Sequence, residues 1–166
     1  MENFFISHAM EFKILGRVAL AMILGALIGL DREFAHKAAG LRTQMFVAGA
    51  SCLIVGVASM MVNHFDQILV SNVIQSDPIR VIVAVITGIS FLGAGTIIRR
   101  GDASTVVGLT TAASLLFSAA IGMGVALGQY ILSVGATILA IIVLSVLPRL
   151  QDWLSTKNKS VKNNKL

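Results

Sequence analysis

From Ala103 to Pro148 the chain carries no charged residue and no histidine. As one helix at 1.5 Å per residue, that run would extend about 69 Å, against a hydrocarbon core of about 30 Å in a bilayer. It must therefore fold back on itself. Gly122, Gly124, Gly128 and Gln129 mark the expected turn, which leaves spans at Val106–Ile121 and Tyr130–Leu147. Pro148 is expected to end the last span, because proline cannot continue a helical ladder.

Three earlier apolar runs, Ile14–Leu30, Thr43–Val62 and Val81–Ile98, are each near the roughly 20 residues that cross a bilayer. Only 13% of the 166 residues are charged, against about 25% in a soluble domain, so the chain cannot cover itself with polar surface. The expected fold is an all-α polytopic membrane helix bundle with about five transmembrane helices, with the lipid bilayer as its surroundings. It divides into an N-terminal extracytoplasmic or interfacial segment (1–13), a transmembrane domain (14–147) and a basic cytoplasmic tail (148–166).

Lysine and arginine set the orientation. Arg32, Lys37, Arg42, Arg99, Arg100, Arg149, Lys157, Lys159, Lys162 and Lys165 fall on one side of the spans, and only Lys13, Arg17 and Arg80 on the other. The N-terminus is thus expected outside and the tail in the cytoplasm. The net charge of +5 is read as this orientation signal, strengthened by attraction of the tail to anionic lipid, and not as a nucleic-acid footprint. Cys52 is the single cysteine and lies in an apolar run, so neither a disulfide framework nor a cysteine metal site is expected. The start, MENFFISHAMEF, has no basic leader or small-residue cleavage site, and the first span is expected to act as its own insertion signal. Residues 1–12 fit a short interfacial helix and a frayed terminus equally well. The loop Asn63–Asp77 holds His64, Asp66 and Asp77 without ligand spacing; no metal and no cofactor are expected.

The stretch Gly25–Thr43, GALIGLDREFAHKAAGLRT, breaks an apolar run with Asp31, Arg32 and Glu33 and re-enters one at Arg42 and Thr43. Shifted by 68 residues, it falls on Gly93–Thr111: Gly25-Ala26 on Gly93-Ala94, Arg32 on Arg100, Gly40-Leu41 on Gly108-Leu109, and Thr43 on Thr111. Internal duplication and chance identity in low-complexity membrane sequence explain these matches equally well. Duplication would make the fold a parallel repeat of two helical hairpins.

Topology places Asp31, Arg32, Glu33, Arg42, Thr43, Thr96, Arg99, Thr110 and Thr111 at one depth, as a candidate functional polar layer. Long cationic side chains at helix ends can simply snorkel to water. A carboxylate has a short stem and no part in the positive-inside rule, so Asp31 is the residue most in need of a reason. It is expected to pair with Arg42 or with Arg99, its counterpart under the 68-residue shift. Gly25 and Gly29 form a GxxxG, Gly93 and Gly95 interrupt the third span, and Gly108 lies near the start of the fourth; these are the expected helix-packing positions.

GALIGLDRE (Gly25–Glu33), AGLRT (Ala39–Thr43), FLGAGTII (Phe91–Ile98), GLTTAASL (Gly108–Leu115) and AAIG (Ala119–Gly122) together resemble the MgtC/SapB family of bacterial membrane proteins, over about residues 14–147. Where that family often has a tryptophan after GLTTAAS, this chain has Leu116 and Phe117. Some members carry a cytoplasmic ACT-like domain after the last span, and ligand sensing by such a domain is not carried over here. The resemblance implies an inner-membrane protein of about five helices, linked to growth in scarce magnesium and to virulence in pathogens. It further implies a regulator of other membrane proteins more than an established carrier, with the acid of GLDRE, here Asp31, functionally important. A membrane-protein partner is expected; the small-residue faces are read as intrachain packing ahead of dimerisation, which leaves a homo-oligomer open.

Two functions follow. A regulator fits helix centres that are apolar apart from Ser51, Thr87, Ser90 and Ser118. A transporter or channel for a cation such as magnesium, or for a small solute, fits the glycine-broken third span, since hydroxyls and carbonyls can pass a weakly held ion. No Ser/His/Asp grouping, histidine pair or phosphate loop is present, so no catalysis is expected.

Overall fold

The computed structural model describes residues 8–68, 78–99 and 106–163, with side chains described for 8–62, 79–97 and 106–148. Within these residues there are five helices: α1 (Ala9–Phe34), α2 (Leu41–Ile68), α3 (Pro78–Gly95), α4 (Leu109–Ala126) and α5 (Tyr130–Asn163). Between α3 and α4, β1 (Ile98–Arg99) pairs antiparallel with β2 (Val106–Val107), Ile98 opposite Val107. Four helices are long and apolar enough to cross a bilayer: α1, α2 over Leu41–Val62, α4, and α5 over Tyr130–Pro148. The apolar part of α3, Ile79–Gly95, is shorter. The protein is a multi-pass membrane protein.

Close backbone approach holds the helices together. In lipid no hydrophobic force drives helices onto each other, so small residues that admit near contact matter most. A Cβ added at Gly25 would lie 2.5 Å from the Gln44 carbonyl oxygen and 2.9 Å from Ala48 Cβ, and one at Gly29 would lie 2.6 Å from Leu41 Cα. The GxxxG of α1 therefore faces α2. From the other side, Gly122 of α4 packs against the Ala48 backbone. Leu24, Ile28, Cys52, Val55 and Ile121 fill the core beside this seam. Outward-facing Ile131, Phe91 and Phe46 are 92%, 82% and 70% exposed, as expected of a lipid-facing surface.

The glycines account for where the observed boundaries depart from those expected. Gly122 and Gly124 are contact glycines inside α4, the latter 2.6 Å from Ser133 Oγ in the same Cβ test. The turn is confined to Leu127–Gln129, with Gly128 at φ 77°. α4 starts at Leu109 and not at Val106, and α3 stops at Gly95 and not at Ile98, because 98–99 and 106–107 form the ladder. Gly108 sits at φ 102° against the Thr96 carbonyl, a left-handed conformation natural to glycine. Pro148 does not end α5, which runs on to Asn163. Proline removes one hydrogen bond and crowds the preceding turn, but residues beyond it can resume the ladder. Met10 and Phe12 belong to α1, and α2 continues past Val62 to Ile68; residues 1–7 and 69–77 lie outside the described residues.

The 68-residue shift has a counterpart in the packing. α2 begins at Leu41 and α4 at Leu109, which are equivalent positions. Gly25 meets Gln44 and Gly93 meets Ala112, again equivalent pairs. The second hairpin is looser: the nearest atom to a Cβ at Gly93 is 3.4 Å away, and nothing lies within 4 Å of one at Gly95.

Gly25→Leu should therefore destabilise the α1–α2 hairpin by at least the roughly 1–3 kcal/mol typical of overpacking, read as a lower unfolding midpoint in mixed micelles. Gly95→Ala, at an open position, should leave that midpoint unchanged or slightly raised.

Candidate functional site

The end of the bundle where α1 and α3 finish and α2 and α4 begin holds most of the described polar side chains of the layer. Its deepest member is Gln44, fully buried one turn into α2. Its amide nitrogen donates to Ser114 Oγ at 2.8 Å, and its amide oxygen accepts from Ser118 Oγ at 2.6 Å. Ser114 in turn donates to the Thr111 carbonyl at 2.8 Å. Ser114 and Ser118 are one helical turn apart, so both reach one amide. The network clamps α4 to α2 beside the Gly122–Ala48 contact.

Nearer the end, Asp31 is half-buried and its carboxylate accepts from Ser145 Oγ of α5 at 2.6 Å. That bond joins α1 to α5, which run parallel; at the opposite end Arg17 donates from Nε to Tyr130 Oη at 3.0 Å and from Nη1 to the Ala126 carbonyl at 2.8 Å. Arg17 thus places a cation at the C-terminus of α4, where the helix dipole favours it. Asp31 does not pair with Arg42, which is exposed: the carboxylate faces α5, whereas Arg42 lies in the first turn of α2. The side chain of Arg99 lies outside the described residues.

Glu33 is exposed and its Oε2 accepts from the Leu41 backbone N–H at 3.0 Å. It caps α2 from the preceding helix, satisfying one of the first-turn donors a helix leaves open. Thr96 Oγ1 donates to the Gly93 carbonyl at 2.8 Å at the end of α3. Thr111 is buried, while Thr43 and Thr110 are exposed. Arg32 departs most from expectation. A snorkelling arginine would reach water, but this one is only 5% exposed, and its Nε is buried without a hydrogen-bond partner. A buried donor left without a partner costs about 1–3 kcal/mol.

Beside this layer lies an apolar cleft of about 380 Å³ between α4 and α5, with Ile28 of α1 at its base. Thr110, Ser114 and Phe117 form one wall, and Leu139, Val143 and Leu144 the other. Among the described residues no group of three or more histidine, cysteine or acidic side chains converges.

Of the expected layer, Arg32 and Thr111 are buried, Asp31 and Thr96 are half-buried, and Glu33, Arg42, Thr43 and Thr110 are exposed. Sequence reading missed Gln44, Ser114 and Ser145. Gln44 was visible as an amide one residue inside an apolar span, and Ser145 as a lone hydroxyl late in the fifth; neither pattern names its partner.

The conserved-family model for the MgtC family matches residues 18–153. The chain belongs to the MgtC family. It is 37% identical over 146 residues to an uncharacterized protein of Haemophilus influenzae, covering 88% of this chain and 60% of that one. It is 37% identical to the putative magnesium transporter YhiD of Escherichia coli K12, over 86% of this chain and 64% of the relative. With protein MgtC of Salmonella typhimurium it shares 40% identity over 72% of this chain and 46% of the relative. The chain spans about half to two thirds of the length of these relatives. No solved structure matches it.

Two substitutions test the geometry. Gln44→Ala should strand two buried serines and lower stability by about 1–3 kcal/mol, measured by denaturant unfolding in mixed micelles. Asp31→Asn retains an acceptor for Ser145 while removing the charge, whereas Asp31→Ala removes both. If the α1–α5 contact is what matters, Asn should behave as wild type in thermal unfolding and Ala should not.

Proposed function

We propose that the protein is a non-enzymatic regulator that acts on other membrane proteins, in the service of adaptation to low magnesium and, in a pathogen, of virulence. One observation carries this reading: the polar groups within its spans are hydrogen-bonded to each other or to their own helices. Gln44, Ser114 and Ser118 form one closed set. Ser51 donates to the Val47 carbonyl, Thr87 to that of Val83, Ser90 to that of Ile86, and Thr137 to that of Ser133. A conduction path needs polar groups free to face the permeant species, and these bond to one another or to their own helix backbone. The charged end of the bundle then offers the contact surface, with Asp31 at its centre. In this reading the protein sits in the bacterial inner membrane with its N-terminus outside and its basic tail in the cytoplasm, in contact with a membrane-protein partner or a second copy.

Transport of magnesium or another cation is the second reading. It is favoured by the name of the Escherichia coli relative, a putative magnesium transporter, and by Gly93 and Gly95 at the end of the short α3.

Two measurements on the same preparation separate the readings. Purified protein in proteoliposomes should give no magnesium uptake above empty vesicles. Affinity purification from native membranes should recover a membrane protein that is lost with Asp31→Ala. Saturable, Asp31-dependent uptake would instead establish transport.

A further inference from the structure

We propose that residues 149–163 of α5 form an amphipathic helix that hinges at Pro148 and lies on the surface of an anionic leaflet. α5 runs unbroken over 34 residues, Tyr130–Asn163. At 1.5 Å per residue it is about 51 Å long, against about 30 Å of hydrocarbon. Its first part, Tyr130–Pro148, already has the length and apolarity of a span. The rest of the helix continues beyond the hydrocarbon, at the end of the bundle where Ser145 meets Asp31.

The faces of that continuation follow from a rotation of about 100° per residue. Leu132, Leu139 and Val146 lie exposed on the lipid side of α5. Leu150, Leu154 and Val161 fall on the same face. The side that α5 packs on the bundle is a different one, marked by buried Ser133 and Thr137 and by Leu144. An apolar stripe thus extends the lipid side of the helix past the end of the span.

Charge names what the stripe meets. Residues 149–163 carry Arg149, Lys157, Lys159 and Lys162 against a single acid, Asp152. Arg149 and Lys162 fall on the two flanks of the stripe and Lys157 beside it, while Asp152 falls on the opposite face. Cations bordering an apolar stripe suit a helix lying in the interface of anionic lipid. A second copy would bring the same excess of cations to the stripe. Trp153 falls at the stripe's edge, a residue type suited to headgroup depth. Pro148 supplies the direction of the bend: its ring crowds the preceding turn and opens the helix on its own face. The stripe is on the opposite face, so the bend lays it onto the leaflet. Net charge alone would draw the tail to anionic lipid in any conformation; the stripe selects one orientation. The inference rests on neither functional reading above.

Trp153 is the only tryptophan of the chain, so the full chain in proteoliposomes reports on this helix by its own fluorescence. In phosphatidylglycerol vesicles its emission should lie to the blue of that in phosphatidylcholine vesicles and be quenched by lipid brominated on the acyl chain. High salt should reduce the difference. Lys157→Gln with Lys162→Gln should lower the ratio of lipid-bound to free helix by about tenfold or more. Leu150→Ser with Leu154→Ser should abolish quenching, and Thr156→Ala, on the far face, should leave it unchanged. None of these should move the unfolding midpoint of the bundle. The comparison of the two lipids on the unaltered chain stands even where a variant fails to fold. Equal emission in the two lipids, or quenching undiminished in the double leucine variant, would overturn the proposal. So would a blue shift without quenching that grows with the protein-to-lipid ratio, which would assign the stripe to a second copy.

Discussion

The backbone of α2 between Leu41 and Ala48 is the surface on which the bundle is built. Gly25 and Gly29 approach it from α1, and Gly122 approaches it from α4, each closely enough that a methyl group would collide with main-chain atoms. Such contact replaces the hydrophobic drive that lipid does not provide. It also fixes the depth of everything attached to these helices. Gln44 lies inside the same stretch, so the seam that brings Gly25 to its carbonyl also brings its side-chain amide to Ser114 and Ser118. Packing and polar matching are thus one event here: sliding α1 by a turn would lose the glycine contacts, and sliding α4 would strand the amide.

Much of this architecture was legible from residues alone, because bilayer thickness limits what an uncharged run can do. The five helices, the return after Ala126 and the facing role of the GxxxG follow from length and residue size. Boundaries were less legible, since glycine has two uses that look alike in sequence. Gly122 and Gly124 resemble turn residues but are contact residues, while Gly108 and Gly128 have the positive φ that a turn requires. Only the neighbour in space separates the cases. Proline misled for a similar reason: Pro148 locally disfavours the ladder, yet α5 carries on through it.

The candidate site was half legible. Its depth and most of its members follow from topology, but pairing does not. Charge complementarity alone pointed Asp31 at Arg42 or Arg99; Arg42 is turned away, the helix arrangement brings Ser145 to the carboxylate, and the Arg99 side chain lies outside the described residues. A hydroxyl was invisible as a partner because serine in an apolar span usually bonds its own preceding turn, as Ser51 and Ser90 do. Glu33, expected in a functional layer, closes the start of α2, a local role that its distance of eight residues from Leu41 conceals.

Asp31 and Arg32, adjacent in sequence, are separated by about 100° around the helix axis, and that separation decides their chemistry. Asp31 reaches α5 and finds a donor, so its charge is partly answered within the chain. Arg32 falls on the buried stripe of α1 with Ile28 and Gly29 and has no such answer at Nε. The two charges cannot neutralise each other without giving up the packing of Gly29 on Leu41, because turning α1 to bring Arg32 toward α5 would withdraw the glycine from the seam. The partnerless Nε of Arg32 is therefore a consequence of the glycine contact.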